Sequence, residues 1–455
     1  MELPGPEVDD PSRALLEQGI GGVVLFGASI RGIDQLRRLT AELRKHAAGP
    51  LRIAIDHEGG HVTRIGAPVT RFPSAMAVAA TGSEEPYIAF TRHTADDLAR
   101  HAGGDLLIEE VDGERRLRLA SIAQLTGVRV RTGAGQRSGW SGSVESPVVE
   151  TAQPFDSAIP SWNARTQPGS WLQVDLRVRL GDARWTRYYT VAVWASDGGT
   201  VRRHSLAGQD DADAQVATDT LRLRGQAAAR AFQHRLTLFT ADERATPSVR
   251  SVSVVTSDSQ REPAGLALTG DRAAWGTELS VPERSQRVRG DAAGGWCSPT
   301  AAAMVLGFWA HPVTVPTAAQ ATYDYVYAGT GNWAFNTAWA ATYGLEAFVT
   351  RLGSLVQVES WIRAGAPVII SLAFGPGDLP GAPIESSDGH LIVVRGFDSA
   401  GDVIVNDPAG RSDSDVRRIY DRSTLESLWL RSSGGVAYLI HPPGVAIPGS
   451  GFGSW

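Results

Sequence analysis

The chain opens on an apolar run at 21–26, an amphipathic stretch at 34–46 and a second apolar run at 51–55 that ends at Asp56. Short apolar runs flanking a segment of helical period predict a βαβ unit. From about residue 88 to 275 the pattern changes to short alternating runs, such as 171–179, 188–195 and 233–239, separated by Gly, Asp, Pro and Ser. That period of two between turn residues predicts an antiparallel β-sandwich of jelly-roll type. After a loop at 277–286 helices and strands return, and 298–310 has the apolar content of a helix buried on most sides. The Gly- and Pro-rich residues from 442 onward predict a loosely held tail. The expected organisation is thus 1–86, 87–276, 277–442 and a tail at 443–455, with no repeat at solenoid or propeller periods.

At 455 residues the chain is long enough for about three domains, each burying a core. The longest apolar runs, such as 367–374, fall far short of the roughly 18 residues that cross a bilayer, so no membrane span is expected. The first residues lack the basic start and apolar run of a secretory signal, and the compartment is left open. A formal charge of −6 without a basic block removes the electrostatic footprint of a nucleic-acid partner. A single cysteine, Cys297, excludes internal disulfides and multi-cysteine metal sites, leaving packing or reactivity as its role.

Its surroundings favour reactivity. In Gly294-Gly295-Trp296-Cys297-Ser298-Pro299-Thr300 a loop becomes a helix, because proline suits a first helical turn and an apolar helix follows. Unpaired N–H groups and the helix dipole there lower a thiol pKa and raise the thiolate fraction. Of the ten histidines, His311 lies fourteen residues on, roughly 20 Å away at 1.5 Å per residue. His441 follows the last strand and stays a minor candidate base, while His390 is the best placed. His390 and Asp407 flank a hairpin whose turn lies at 398–401, so antiparallel pairing sets them opposite one another within a residue or two. Asp407 can then orient the imidazole. Gln286, eleven residues before the thiol, can supply a side-chain amide to an oxyanion.

These residues carry a family resemblance. Ser285-Gln286, Trp296-Cys297-Ser298-Pro299-Thr300, Gly329-Thr330-Gly331-Asn332-Trp333, Ser387-Asp388-Gly389-His390 and Asn406-Asp407-Pro408-Ala409 resemble family-39 cysteine peptidases over about 278–441. The resemblance implies a papain-like fold with Cys297 as nucleophile, His390 as base and acid, Asp407 as orienter and Gln286 in the oxyanion hole. The middle segment resembles the β-sandwich that often precedes this peptidase, through Ser161-Trp162-Asn163-Ala164, Gly169-Ser170-Trp171 and Asp219-Thr220-Leu221. The first 86 residues resemble the start of glycoside hydrolase family 3, most like its β-N-acetylhexosaminidases. The matching residues are Gly22-Val23-Val24-Leu25-Phe26-Gly27, Ile53-Ala54-Ile55-Asp56-His57-Glu58-Gly59-Gly60 and Arg71-Phe72-Pro73-Ser74-Ala75-Met76. A complete barrel of that kind needs about 250 residues, so only a fragment is expected.

The expected fold class is multidomain: a partial α/β barrel fragment, an antiparallel β-sandwich, then an α+β papain-like domain. The expected activity is thiol hydrolysis of a peptide or related amide through a Cys297 thioester, needing no metal or organic cofactor. Its partner is a peptide or protein substrate. Two alternatives stand beside it: a family 3 glycosidase with an incomplete barrel, and a cell-wall glycan-binding protein with an inactive peptidase domain. For the second, Trp162, Trp171, Trp185 and Trp194 of the sandwich would stack on sugar, although tryptophans in sandwiches are more often core residues.

Overall fold

The computed structural model describes residues 5–20, 22–25, 27–31, 33–49, 51–55, 88–120, 125–132, 135–225, 227–259, 272–288 and 295–448. The motif residues Asp56, His57, Glu58 and 71–76 lie outside them, as do Gly294 and positions 449–455 of the expected tail. The described residues fall into two compact units, 5–55 and 88–448.

In the first unit, Asp9 caps helix Asp10–Glu17 by accepting the Ser12 N–H at 3.0 Å. Strands Gly22–Leu25 and Arg52–Ile55 pair in parallel across the helix Ile33–His46. Leu16, Val23, Leu25, Leu36, Leu39 and Leu43 form its core. The predicted βαβ order is present; the described residues show one such unit and not a barrel.

In the second unit two antiparallel sheets pack face to face. One runs in the order 189–194, 170–180, 229–240, 135–145, 126–132; the other runs 214–217, 220–223, 157–165, 248–257, 114–119, 106–111. Leu172, Val174 and Leu236 of the first meet Trp162, Val249 and Val252 of the second. Trp162, Trp171 and Trp194 are core residues, with Trp162 and Trp194 edge to face at 6.2 Å and Trp171 stacked on Phe239. They are therefore not free to stack on sugar.

A third antiparallel sheet, ordered 346–351, 436–441, 368–374, 387–397, 403–406, 417–420, carries the carboxy-terminal domain. Helix Cys297–Phe308 is buried from Cys297 to Leu306, as its continuous apolar sequence requires, and packs on strand Ser387–Phe397. Gly396 is obligatory in that strand, because a Cβ there would lie 2.1 Å from the Thr277 carbonyl oxygen.

Sandwich and third sheet are not separately closed. Strand Ser157–Arg165 is buried on both faces. Trp162 points into the sandwich, while Ser161 and Asn163 point to the edge strand Glu346–Arg351. There the Ser161 hydroxyl accepts the Val349 N–H at 3.2 Å and the Asn163 carbonyl accepts the Ala347 N–H at 2.9 Å. Side chains of one sheet thus satisfy the open edge of another. Phe335, on helix Trp333–Ala341, inserts against Trp162 with ring centroids 6.2 Å apart.

Candidate active site

Cys297 is the first residue of its helix and is 7% exposed. No side chain caps this helix, so its terminal N–H groups remain available to an anion. The His390 imidazole and the Ser298 and Leu391 N–H groups lie near enough to the sulfur to act on its charge. Burial alone would push this thiol up. The His390 hydrogen bond and charge, with the two N–H groups, outweigh burial and hold it below the ordinary thiol value.

The imidazole is held from its other side. Nε2 of His390 lies 2.7 Å from Oδ1 of Asp407, which leaves Nδ1 for the thiol. The two strands pair with Val393 opposite Asn406 and Val394 opposite Val405, and a bulge at Arg395 shifts the pairing beyond. Continued past Asn406, this register sets Asp407 opposite Ile392, two residues from His390. An offset of two keeps both side chains on one face of the sheet, where an offset of one would separate them.

Asp407 is itself fixed. Its Oδ1 accepts the Ala409 N–H at 2.9 Å and its Oδ2 accepts the Tyr420 hydroxyl at 2.7 Å. Burial would raise this carboxyl, but the His390 charge and these donors keep it below its usual value. Burial would likewise lower His390; the Asp407 charge and hydrogen bond, then the thiol, raise it instead. The arrangement favours thiolate and imidazolium side by side over a carboxylate.

Residues 278–437 match the Peptidase_C39 like family. Residues 90–257 match the Peptidase C39 N-terminal domain, and residues 6–106 match the Glycosyl hydrolase family 3 N terminal domain. Two curated β-hexosaminidases are similar to the amino-terminal part. That of Thiobacillus denitrificans is 36% identical over 104 residues, 23% of this chain and 27% of the relative. That of Neisseria gonorrhoeae is 35% identical over 101 residues, 22% of this chain and 27% of the relative. The chain thus spans about a quarter of the length of these relatives. Among solved structures, a double glycine motif protease from an AMS/PCAT transporter, in complex with the leader peptide, is 18% identical. The match covers 36% of this chain and 94% of that one, with a TM-score of 0.25.

In the C39-like domain, Gln286 is held against the segment that follows Asp407: its N–H donates to the Pro408 carbonyl at 2.8 Å, and the Ser285 hydroxyl donates to the Gly410 carbonyl. Its side-chain oxygen is buried without a hydrogen-bond partner. His441 stands apart, against Trp361 and Phe348, with Nδ1 near the Pro442 carbonyl. His311 contacts Tyr343 instead.

A cleft of about 740 Å³ opens over Cys297. Gly329, Thr330, Gly331 and Trp333 line it, and Asn332 caps the helix that follows by accepting the Phe335 N–H. This glycine-rich motif therefore both lines the cleft and caps a helix. The Thr330 hydroxyl donates to the Gly295 carbonyl at 2.6 Å, tying this loop to the segment that leads into Cys297. The cleft also contains 217–220 and Arg222 of the sandwich. Sequence reasoning missed that contribution, and it missed Tyr420, which has no local pattern to mark it.

Proposed function

We propose that this chain is a cysteine peptidase that cleaves a peptide or related amide bond through a Cys297 thioester. The observation that carries the reading is the Cys297 thiol at a helix start, lowered in pKa by an imidazole that Asp407 holds at 2.7 Å. The thiolate attacks the carbonyl carbon, and the negative charge moves to the carbonyl oxygen. Gln286 and the N–H groups at the helix start are the donors assigned to that oxyanion. His390 then protonates the leaving amine as the C–N bond breaks and the thioester forms. In the second half, His390 takes a proton from water, hydroxide oxygen adds to the thioester carbon, and the carboxylic acid leaves as the thiol is restored. Asp407 keeps its charge throughout and orients the ring.

The test is incubation of a proteome-derived peptide library with the wild-type chain and with Cys297→Ala, reading new termini by mass spectrometry. The expected result is cleavage by the wild type alone. Identical products from both proteins would overturn the assignment. Glycoside hydrolysis has weaker support, because the family 3 similarity ends at residue 106, after sandwich strands have begun, whereas a barrel needs about 250 residues.

A further inference from the structure

The hairpin 214–223 of the sandwich forms part of the catalytic cleft. Its strands pair Ala217 with Thr220, leaving Thr218 and Asp219 as a two-residue turn. Thr218 has φ +59°, a left-handed conformation costly for a β-branched residue. Strain of that kind persists where the surroundings impose it and collects at functional sites. Here it turns Asp219 into the cleft beside Cys297, where the residue is 5% exposed.

The Asp219 carboxylate accepts the Trp333 N–H on Oδ2 and the Thr220 hydroxyl at 3.0 Å on Oδ1. Among the described residues no arginine, lysine or histidine forms an ion pair with it. Burial raises its carboxyl to about 6, the Trp333 and Thr220 donors offset this only in part, and the Asp324 charge adds to it. Tyr438, raised first by burial, is raised further by the charges of both Asp219 and Cys297. The carboxylate and the sulfur therefore act on the same phenol. Of the other charged cleft residues, Asp388 and Arg222 are exposed at the rim. Asp324 is spent on the Ser205, Val326 and Tyr327 N–H groups and the Asn332 amide.

We propose that Asp219 is a specificity-determining residue of the cleft, supplied by the sandwich, and that it receives a protonated amine or guanidinium on a side chain of the bound substrate. A buried carboxylate with hydrogen-bond donors and no counter-ion is stabilised by an incoming cation. This inference rests on the peptidase reading, since it names the substrate of the same site. It makes the sandwich part of the substrate-binding machinery.

The test uses the full chain and its single thiol. Cys297 is labelled with methanethiosulfonates carrying an aminoethyl, an ethyl or a sulfonatoethyl group, and second-order rates are compared in wild type and Asp219→Asn. Asparagine keeps an oxygen for the Trp333 N–H and removes the charge. The cationic-over-neutral rate ratio is expected to fall about fivefold, an order-of-magnitude value for losing one nearby charge, with the neutral rate changed less than about twofold. Asp219→Ser is the second variant, should the first fail to fold. The kcat/KM ratio for peptides differing only in Lys against Met should fall in parallel. An unchanged labelling ratio in both Asp219 variants would overturn the inference. Absence of peptide cleavage with an altered labelling ratio would overturn the peptidase reading and leave the charge effect standing.

Discussion

Tyr420 donates its hydroxyl hydrogen to Oδ2 of Asp407 at 2.7 Å, from a strand thirteen residues further along the chain, and both residues are buried. The bond leaves Oδ1 for His390 and the Ala409 N–H, so the phenol sets the carboxylate plane that orients the imidazole. A hydrogen bond to a charged group contributes about 1.5–3 kcal/mol. Tyr420→Phe is expected to lower kcat by roughly tenfold with little change in KM, while Asp407→Asn lowers it further. Equal kcat for Tyr420→Phe and wild type would show that Ala409 and packing suffice.

The thiol and imidazole shifts define a pH window. His390 and the neighbouring N–H groups hold Cys297 below its ordinary thiol value despite burial, which raises the thiolate fraction. His390 lies above the ordinary imidazole value of about 6.5, so its proton is retained in neutral solution. Iodoacetamide labelling should rise with pH to a midpoint below 8.5 in wild type. In His390→Ala that midpoint should move upward, because the positive partner is gone. A wild-type midpoint at the free-thiol value, unmoved by His390→Ala, contradicts an activated nucleophile.

Acid should destabilise the sandwich through a buried histidine pair. Nδ1 of His93 lies 2.9 Å from Nε2 of His234, bridging the two sheets, and Nδ1 of His234 has no partner. Burial lowers both, the Asp97 charge opposing this at His93, so the folded state disfavours their protonation. The unfolded chain protonates them below about pH 6.5 and then binds more protons, so stability falls as pH drops through that value. The fall in Tm between pH 7.5 and 5 should be smaller for His234→Leu than for wild type.

The carboxy-terminal domain depends on the sandwich for its edge and for the cover over Phe335. Residues 272–448 made alone expose Phe335, Ala334 and Ala338 together with the Ala347 and Val349 N–H groups. Gel filtration should show aggregated or expanded material, where the chain from residue 87 gives a monomer or defined oligomer with a cooperative melt. In the longer chain, Asn163→Ala should lower stability by about 1–3 kcal/mol, since it leaves the buried Ala347 N–H unpaired.

Removal of residues 1–86 is expected to leave the Cys297 labelling rate within about threefold of wild type, because all described residues lining the cleft over Cys297 lie in the second unit. A change beyond tenfold, about 1.4 kcal/mol in barrier, would assign the amino-terminal unit a supporting role.

Local chemistry made much of this legible before any fold was known. A thiol before an apolar helix, and a histidine and aspartate flanking a hairpin turn, are placed by periods of 3.6 and 2 that depend only on the backbone. The alternating runs likewise identified the antiparallel strands, and the chain's own chemistry marked Cys297, His390 and Asp407. Tertiary structure decided what those periods do not carry. The bulge at Arg395 set the register, because that side chain reaches the Leu279 carbonyl, Glu283 and Asn406. Tyr420 reaches the site from a strand and Asp219 from a hairpin turn of the sandwich, and Ser161 and Asn163 turned out to close the edge of another sheet. Asp219, Ser161 and Asn163 meet their partners across more than a hundred residues and leave no spacing to read, while Tyr420 lies only thirteen residues from Asp407 but reaches it through strand pairing that no local period specifies.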